Sequence, residues 1–105
     1  MTGANPMRGE AELLVRGERL VLRPTFAALV AAEEELGALF GLVERASAGG
    51  LRLAEMVALF WHCRRDWPPE ITRDHVGEAV SAQGLATVTP VLKTILQQIL
   101  SGSRD

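Results

Sequence analysis

The first half-buried elements of the chain follow from an alternation of apolar and polar positions. Alternate residues are apolar over residues 11–15 and again over residues 20–22, so one face of each run can meet a core. Arg16-Gly17-Glu18 supplies a turn, because Gly17 accepts a positive φ, and Pro24 stops the second run. The pattern predicts a β-hairpin over residues 10–24. A lone hairpin is marginal in water, so it must pack on other elements.

Helical spacing replaces this alternation after Pro24. Five predicted helices cover residues 25–37, 38–48, 53–65, 72–83 and 85–101, with Thr25 and Thr72 as N-caps of the first and fourth. Pro90 lies within the last segment. Either the helix kinks there, or Thr89 caps a new helix that begins at Pro90. The apolar spacing continues through Pro90, which favours the kink.

The predicted inner faces of the helices contain their largest apolar side chains. They are Phe26, Leu29, Val30 and Leu36 in the first helix, Leu39, Phe40, Leu42, Val43 and Ala46 in the second, and Leu53, Met56, Val57, Phe60 and Cys63 in the third; Val76, Ala79 and Val80 follow in the fourth, and Leu85, Val88, Leu92, Ile95, Leu96 and Ile99 in the last. We therefore predict an α+β fold that is mostly helical, with an N-terminal β-hairpin packed on a bundle of four to five short helices. Residues 1–9 form a flexible lead, residues 10–101 a single domain and residues 102–105 a tail.

Composition and charge narrow the class of protein. A chain of 105 residues fits one domain, and a hydrophobic content of 48% supports a packed core. The formal net charge is -2, which gives no electrostatic reason to expect nucleic acid as a partner. Cys63 is the single cysteine, so no intrachain disulfide can form. No secretory signal or membrane-length apolar stretch is visible, and we expect a cytoplasmic protein.

The residues that could carry chemistry do not form a complete constellation. His62 and Cys63 are adjacent on a predicted helix and point about 100° apart, whereas His62 and Asp66 are four residues apart and could share a face. Two ligands without a third predict no metal and no cofactor. A Cys63–His62 nucleophilic pair lacks a glycine-rich turn around the thiol. A small enzyme with Glu33 or His62 as the base is the remote alternative, and we expect a protein that is not an enzyme.

The three consecutive acids of the first helix differ in their expected surroundings. Glu33 lies beside the predicted apolar stripe, and Glu34 and Glu35 are expected to be solvated. Glu33 is either an ordinary acid at the helix surface or a residue that pairs with an arginine. In the second case its partner is Arg19 or Arg23 of the hairpin, or a group on another protein.

Two tryptophans mark the predicted partner-binding surface. Trp61 lies off the apolar stripe, and Trp67 precedes two prolines in a loop. Exposed tryptophans are frequent anchors of protein interfaces, although both rings could instead fold back over the edge of a small core. We include Leu51 and Glu33 in the same predicted surface. An exposed hairpin edge would also allow strand addition, so a homo-oligomer is a further expectation.

Several short motifs in a fixed order resemble those of a known family and span about residues 5 to 101. The motifs are Asn5-Pro6, Arg8-Gly9-Glu10, Leu20-Val21-Leu22-Arg23-Pro24-Thr25, Ala32-Glu33-Glu34-Glu35-Leu36-Gly37, Leu42-Val43-Glu44-Arg45, Leu51 with Leu53, and Gly84-Leu85. Their order and spacing resemble the short tail-assembly family of gene transfer agents and related siphophage-like prophages. Proteins of that family are described as tail tube proteins or as tail assembly chaperones. Between Trp61 and Pro69 the chain has larger side chains than the small residues of the family pattern.

The resemblance implies a role in building a phage-like tail. A tube subunit needs a β-rich scaffold, and this chain has one credible hairpin, so the pattern favours a chaperone that binds tape-measure or tail tube protein. The alternative is a structural tail component that stays in the particle. Both expectations involve protein partners, with no nucleic acid and no membrane.

Overall fold

The computed structural model describes residues 10–102, so the predicted flexible lead at residues 1–9 and the last three residues lie outside the described part. Two strands precede five helices, in the order β1 (Ala11–Val15), β2 (Glu18–Leu22), α1 (Phe26–Leu36), α2 (Leu39–Ser47), α3 (Leu53–His62), α4 (Arg73–Gln83) and α5 (Leu85–Ser101). The α+β, mostly helical fold with an N-terminal hairpin is confirmed. No helix within residues 10–102 has the length and apolarity needed to cross a membrane.

The hairpin forms in the register that its alternation predicts. Val15 pairs with Glu18 and Ala11 with Leu22, so the turn contains only Arg16 and Gly17. Their φ angles are 52° and 82°, and two successive positive values are typical of the tight turns that suit the twist of a hairpin. The predicted apolar face, with Leu13 among its residues, is buried in both strands.

The chain leaves α3 three residues earlier than predicted and pairs with the hairpin. The amide of Arg23 donates to the carbonyl of Cys63 at 2.7 Å, and the amide of Arg65 donates to the carbonyl of Val21 at 3.1 Å. Leu22 and Arg64 form an antiparallel bridge. The predicted helix end at residue 65 is wrong, because residues 63–65 bond to β2 in place of the next helical turn. This pairing occupies part of the hairpin edge that strand addition would require.

The helices surround the inner face of the hairpin. α3 packs against α1 and α4, and both α4 and α5 pack against β1. Phe60, Leu42 and Ile95 are fully buried in the core that these elements share. α5 continues through Pro90, so the alternative in which a new helix begins at Pro90 is wrong.

The inner face of α1 differs from the prediction. Ala28 and Ala32 are its buried residues, whereas Phe26 is 84% exposed and Val30 is 38% exposed. On α2, Phe40 is 81% exposed. Small side chains let α1 pack against α3, and Phe26 and Val30 then point outwards. The inward placements predicted for Leu53 and Leu85 are also wrong, because both lie in the first turn of a helix and are about half exposed.

Candidate functional site

The two tryptophans pack against each other at the edge of the core. Their ring centroids are 6.2 Å apart and their planes meet at 76°, which is a favourable edge-to-face arrangement. The indole nitrogen of Trp67 donates to the carbonyl of Val21 at 2.6 Å. Both rings are partly buried, as in the alternative in which they fold back over the core. Their role in partner binding stays a prediction.

Arg64 holds Trp61 from the outer side. Its guanidinium carbon lies 3.8 Å from the centroid of the Trp61 ring, which is the geometry of a cation–π contact. The same guanidinium donates to the carbonyl of Trp61 at 2.8 Å. Because each ring is held by a polar contact as well as by packing, the aromatic pair is fixed before any partner arrives.

A groove of about 760 Å³ lies between α1 and the segment that contains both tryptophans. We call it the Trp groove. Alanines of α1 form one side, and aromatic, proline and basic residues form the other. Its lining residues are Arg23, Thr25, Ala27, Ala28, Ala31, Trp61, His62, Arg64, Arg65, Asp66, Trp67, Pro68, Pro69 and Ile71. A volume of this size is comparable to that of sites that accept small ligands or a few side chains.

Three arginines and one aspartate give the Trp groove a basic rim. Arg23 pairs with Glu10 at 3.6 Å, and Arg65 pairs with Asp66 at 3.5 Å. Within residues 10–102, no carboxylate forms an ion pair with Arg64. A groove that combines aromatic and proline side chains with excess positive charge matches a partner segment that carries apolar side chains and acids.

Glu35 joins α1 to α3 and α4 beside the groove. Arg73 donates to both oxygens of this carboxylate, at 2.8 and 2.9 Å, and the Nε2 atom of His62 lies 2.7 Å from one of them. The hydrogen bonds from Arg73 and then from His62 lower the pKa of Glu35 to about 2. Glu35 is exposed, as predicted, but its pairing with Arg73 and His62 is not part of the prediction. The sequence contains the signal, because Glu35 follows Ala28 and Ala31 at helical spacing on the side that faces α3.

Glu33 and Leu51 lie away from the Trp groove. A carboxylate oxygen of Glu33 accepts from the amide of Leu39 at 3.1 Å, so Glu33 caps the beginning of α2. The alternative in which Glu33 pairs with a hairpin arginine is wrong, because Arg19 and Arg23 pair with other acids. Leu51 is partly buried against the core. The structure thus brings together only the two tryptophans among the four predicted partner-binding residues.

The residues considered for metal or nucleophilic chemistry are buried or bonded to other groups. Cys63 is fully buried, and burial raises the pKa of its thiol to about 12, which disfavours the reactive thiolate. His62 bonds to Glu35, whereas Asp66 lies beyond the end of α3 and pairs with Arg65. Because α3 ends at His62, the two residues do not share a helical face, and that possibility is wrong. Residues 10–102 contain no group of three or more His, Cys, Asp or Glu that could hold a metal ion.

Comparison with known proteins gives one family match. A family model described as "Phage tail tube protein, GTA-gp10" matches residues 8–102. The matched range contains both strands, all five helices of the described part and the whole Trp groove. No curated protein and no solved structure gives a significant match to the chain.

Proposed function

We propose that this chain, which belongs to the GTA-gp10 family of phage tail tube proteins, assists tail assembly as a chaperone. Its partner would be the tape-measure protein or the tail tube protein, bound where these proteins are made, in the cytoplasm. The observation that supports this proposal is the Trp groove, which combines fixed aromatic rings with an open, accessible shape. The chemistry is reversible burial of apolar side chains, with no covalent step.

The preformed groove favours recognition of a helix. An amphipathic helix places apolar side chains along one face, and such a face can lie in a groove. Trp61 and Trp67 are already held by Arg64 and by the carbonyl of Val21, so binding loses little side-chain freedom on this side. Apolar surface that enters the groove contributes about 25 cal/mol per Å² before the costs of association are subtracted.

Part of each edge of the hairpin is already bonded within the chain, so few backbone groups remain for a β-sheet that continues from subunit to subunit. Residues 63–65 already bond to part of β2, and the side chain of Gln83 donates to the carbonyl of Leu14 on β1 at 2.6 Å. A tube wall built by strand pairing needs unpaired backbone groups at such edges. This arrangement supports the chaperone role over a tube subunit that pairs through this hairpin.

A groove-blocking substitution tests the proposal without disturbing the core. Ala27 is exposed and lines the Trp groove, so Ala27→Trp should fill the groove while leaving the fold intact. Ala86→Trp is the matched control, because Ala86 is exposed on α5 outside the groove. In a pull-down with the tail proteins encoded by neighbouring genes, we expect wild type and Ala86→Trp to retain a tape-measure or tube protein, and Ala27→Trp to lose it. Equal retention by folded Ala27→Trp would reject the groove as the binding site.

A structural tail component is the second candidate. The description of the family as tail tube proteins and the outward-facing Phe26, which a neighbour in a particle could cover, favour it. Mass spectrometry of purified particles separates the two roles. A chaperone should be absent or far below stoichiometric amounts, whereas a structural subunit should be present in many copies.

A further inference from the structure

The outer side of α1 carries an apolar stripe with acids beside it. Phe26 and Val30 are exposed to 84% and 38%, and Glu33 and Glu34 are exposed as well. Val30, Glu33 and Glu34 lie four, seven and eight residues after Phe26, so all four side chains project from one side of the helix. We call them the Phe26 face. Phe26 and Val30 together form an exposed apolar patch, and a patch of this kind with polar residues beside it can serve as a contact surface.

The Phe26 face and the Trp groove carry opposite charge. No arginine, lysine or histidine forms an ion pair with Glu34 within the described residues, and Glu33 uses one oxygen to cap α2. The groove has excess positive charge, and Arg64 has no carboxylate partner in the same range. Docking the two surfaces would therefore bury Phe26 against aromatic rings and bring acids towards arginines.

One molecule cannot make this contact with itself. Ala27, Ala28 and Ala31 face the groove from α1, whereas Phe26 and Val30 point to another side of the same helix. We infer that the Phe26 face of one copy docks into the Trp groove of a second copy. The two surfaces differ, so the contact is head-to-tail and leaves a free face at one end and a free groove at the other.

Self-association of this kind would regulate the proposed chaperone. Each docked copy hides a Trp groove, so a tail protein must displace a neighbouring Phe26 face before it binds. This consequence rests on the proposed function, whereas the self-contact itself does not need a tail protein. The contact is therefore measurable with the purified full chain alone.

Sedimentation velocity over a range of concentrations is the first test. We expect the average mass to rise above that of the monomer as concentration increases, and to fall when salt is added, because salt screens the acids and arginines. A wild-type chain that stays monomeric throughout, at low salt, would overturn the inference. If the monomeric chain still bound a tail protein through the groove, the proposed function would be supported and only the self-association would be rejected.

Two variants that each lack one surface give the decisive test. Phe26→Ser removes the face, and Ala27→Trp blocks the groove. Phe26 and Ala27 are exposed, so both variants should remain folded, which circular dichroism and urea unfolding would check. Phe40→Ser is the matched control, because Phe40 is almost as exposed but lies on α2 outside both surfaces.

The expected pattern is specific to a head-to-tail contact. Each variant alone should be monomeric, whereas Phe40→Ser should associate like wild type. A mixture should form a dimer and no larger species, because the intact groove of Phe26→Ser accepts the intact face of Ala27→Trp. A mixture that remains monomeric, or a loss of association in Phe40→Ser equal to that in Phe26→Ser, would overturn the assignment.

Discussion

α1 and α3 lie against each other but place their large apolar side chains on opposite sides. α3 buries Met56, Val57 and Phe60, so its largest residues contribute to the core. α1 buries Ala28 and Ala32 and exposes Phe26. The core-facing side of α1 is therefore the one with small side chains, whereas that of α3 carries large ones. Phe26 and Val30 of α1 remain available for contacts outside the chain.

The largest expected effect contrasts the buried and exposed phenylalanines of these helices. Phe60→Ala should lower the free energy of unfolding by about 3–5 kcal/mol, because it leaves a cavity in the core. Phe26→Ala should change it by less than about 0.5 kcal/mol, since the side chain already meets water. Urea unfolding measures both values.

A large loss for Phe26→Ala in the monomeric protein would contradict the outward placement of that ring. If Phe60→Ala does not fold, Phe60→Leu keeps part of the packing and should still be more destabilising than Phe26→Ala.

A second pair of variants tests the close approach of α1. Ala32 has no exposed surface, so Ala32→Leu should force a leucine into the contact and destabilise by about 1–3 kcal/mol. Ala27→Leu adds the same side chain on the exposed side of the helix and should be close to neutral. Thermal and urea unfolding measure both, and equal stability of the two variants would reject the tight packing of α1.

A smaller effect is expected where the aromatic pair is held. Trp67→Phe keeps an aromatic ring but removes the indole N–H that bonds to the carbonyl of Val21. We expect the free energy of unfolding, measured with urea, to fall by about 0.5–1.5 kcal/mol. The loss is limited because the carbonyl of Val21 still accepts a hydrogen bond from the amide of Arg65. Increased acrylamide quenching of Trp61 should accompany it, as the pair loosens. Unchanged stability and quenching would show that this hydrogen bond does not hold the groove.

The smallest effect concerns acid stability. The pKa of Glu35 falls from 4.5 to about 2 on folding, so its ion pairs stabilise the protein above pH 4.5 and are lost as the pH falls towards 2. The side chain is well exposed, which limits the contribution to less than about 1 kcal/mol. Glu35→Gln should therefore be less stable than wild type at neutral pH and approach it near pH 2.

Glu34→Gln is the control for this experiment, since Glu34 has no ion pair within residues 10–102. The stability of the Glu34→Gln variant should match that of wild type. Glu55 also has a pKa lowered to about 2, through Arg45, so some acid dependence should remain in Glu35→Gln. Identical pH profiles for Glu35→Gln and wild type would show that this ion cluster does not stabilise the fold.

Local patterns were enough to predict the hairpin and the five helices. Alternation identified the buried side of the hairpin, and Thr25 and Thr72 were correctly predicted as N-caps, because their hydroxyls accept from Ala28 and His75. These features depend on neighbours within a few residues, which a sequence displays directly.

The features that were missed depend on distant residues. The early end of α3 follows from backbone bonds to β2, and the pairing of Glu35 follows from where α4 places Arg73. Size and hydrophobicity predict Phe26 to be buried, but the buried residues of α1 are Ala28 and Ala32. The sequence predicts the two tryptophans at the core edge as one alternative, whereas their groove forms only where three segments of the chain meet.

The central claim is that a tail protein occupies the Trp groove, and fluorescence tests it most directly. The chain has two tryptophans, and both line the groove. The measurement is acrylamide quenching of this protein with and without a tape-measure or tube protein whose own tryptophans are replaced by phenylalanine. Binding in the groove predicts a shift of the emission to shorter wavelength and reduced quenching. A stable complex with unchanged emission and quenching would contradict the account, because the partner would then bind elsewhere.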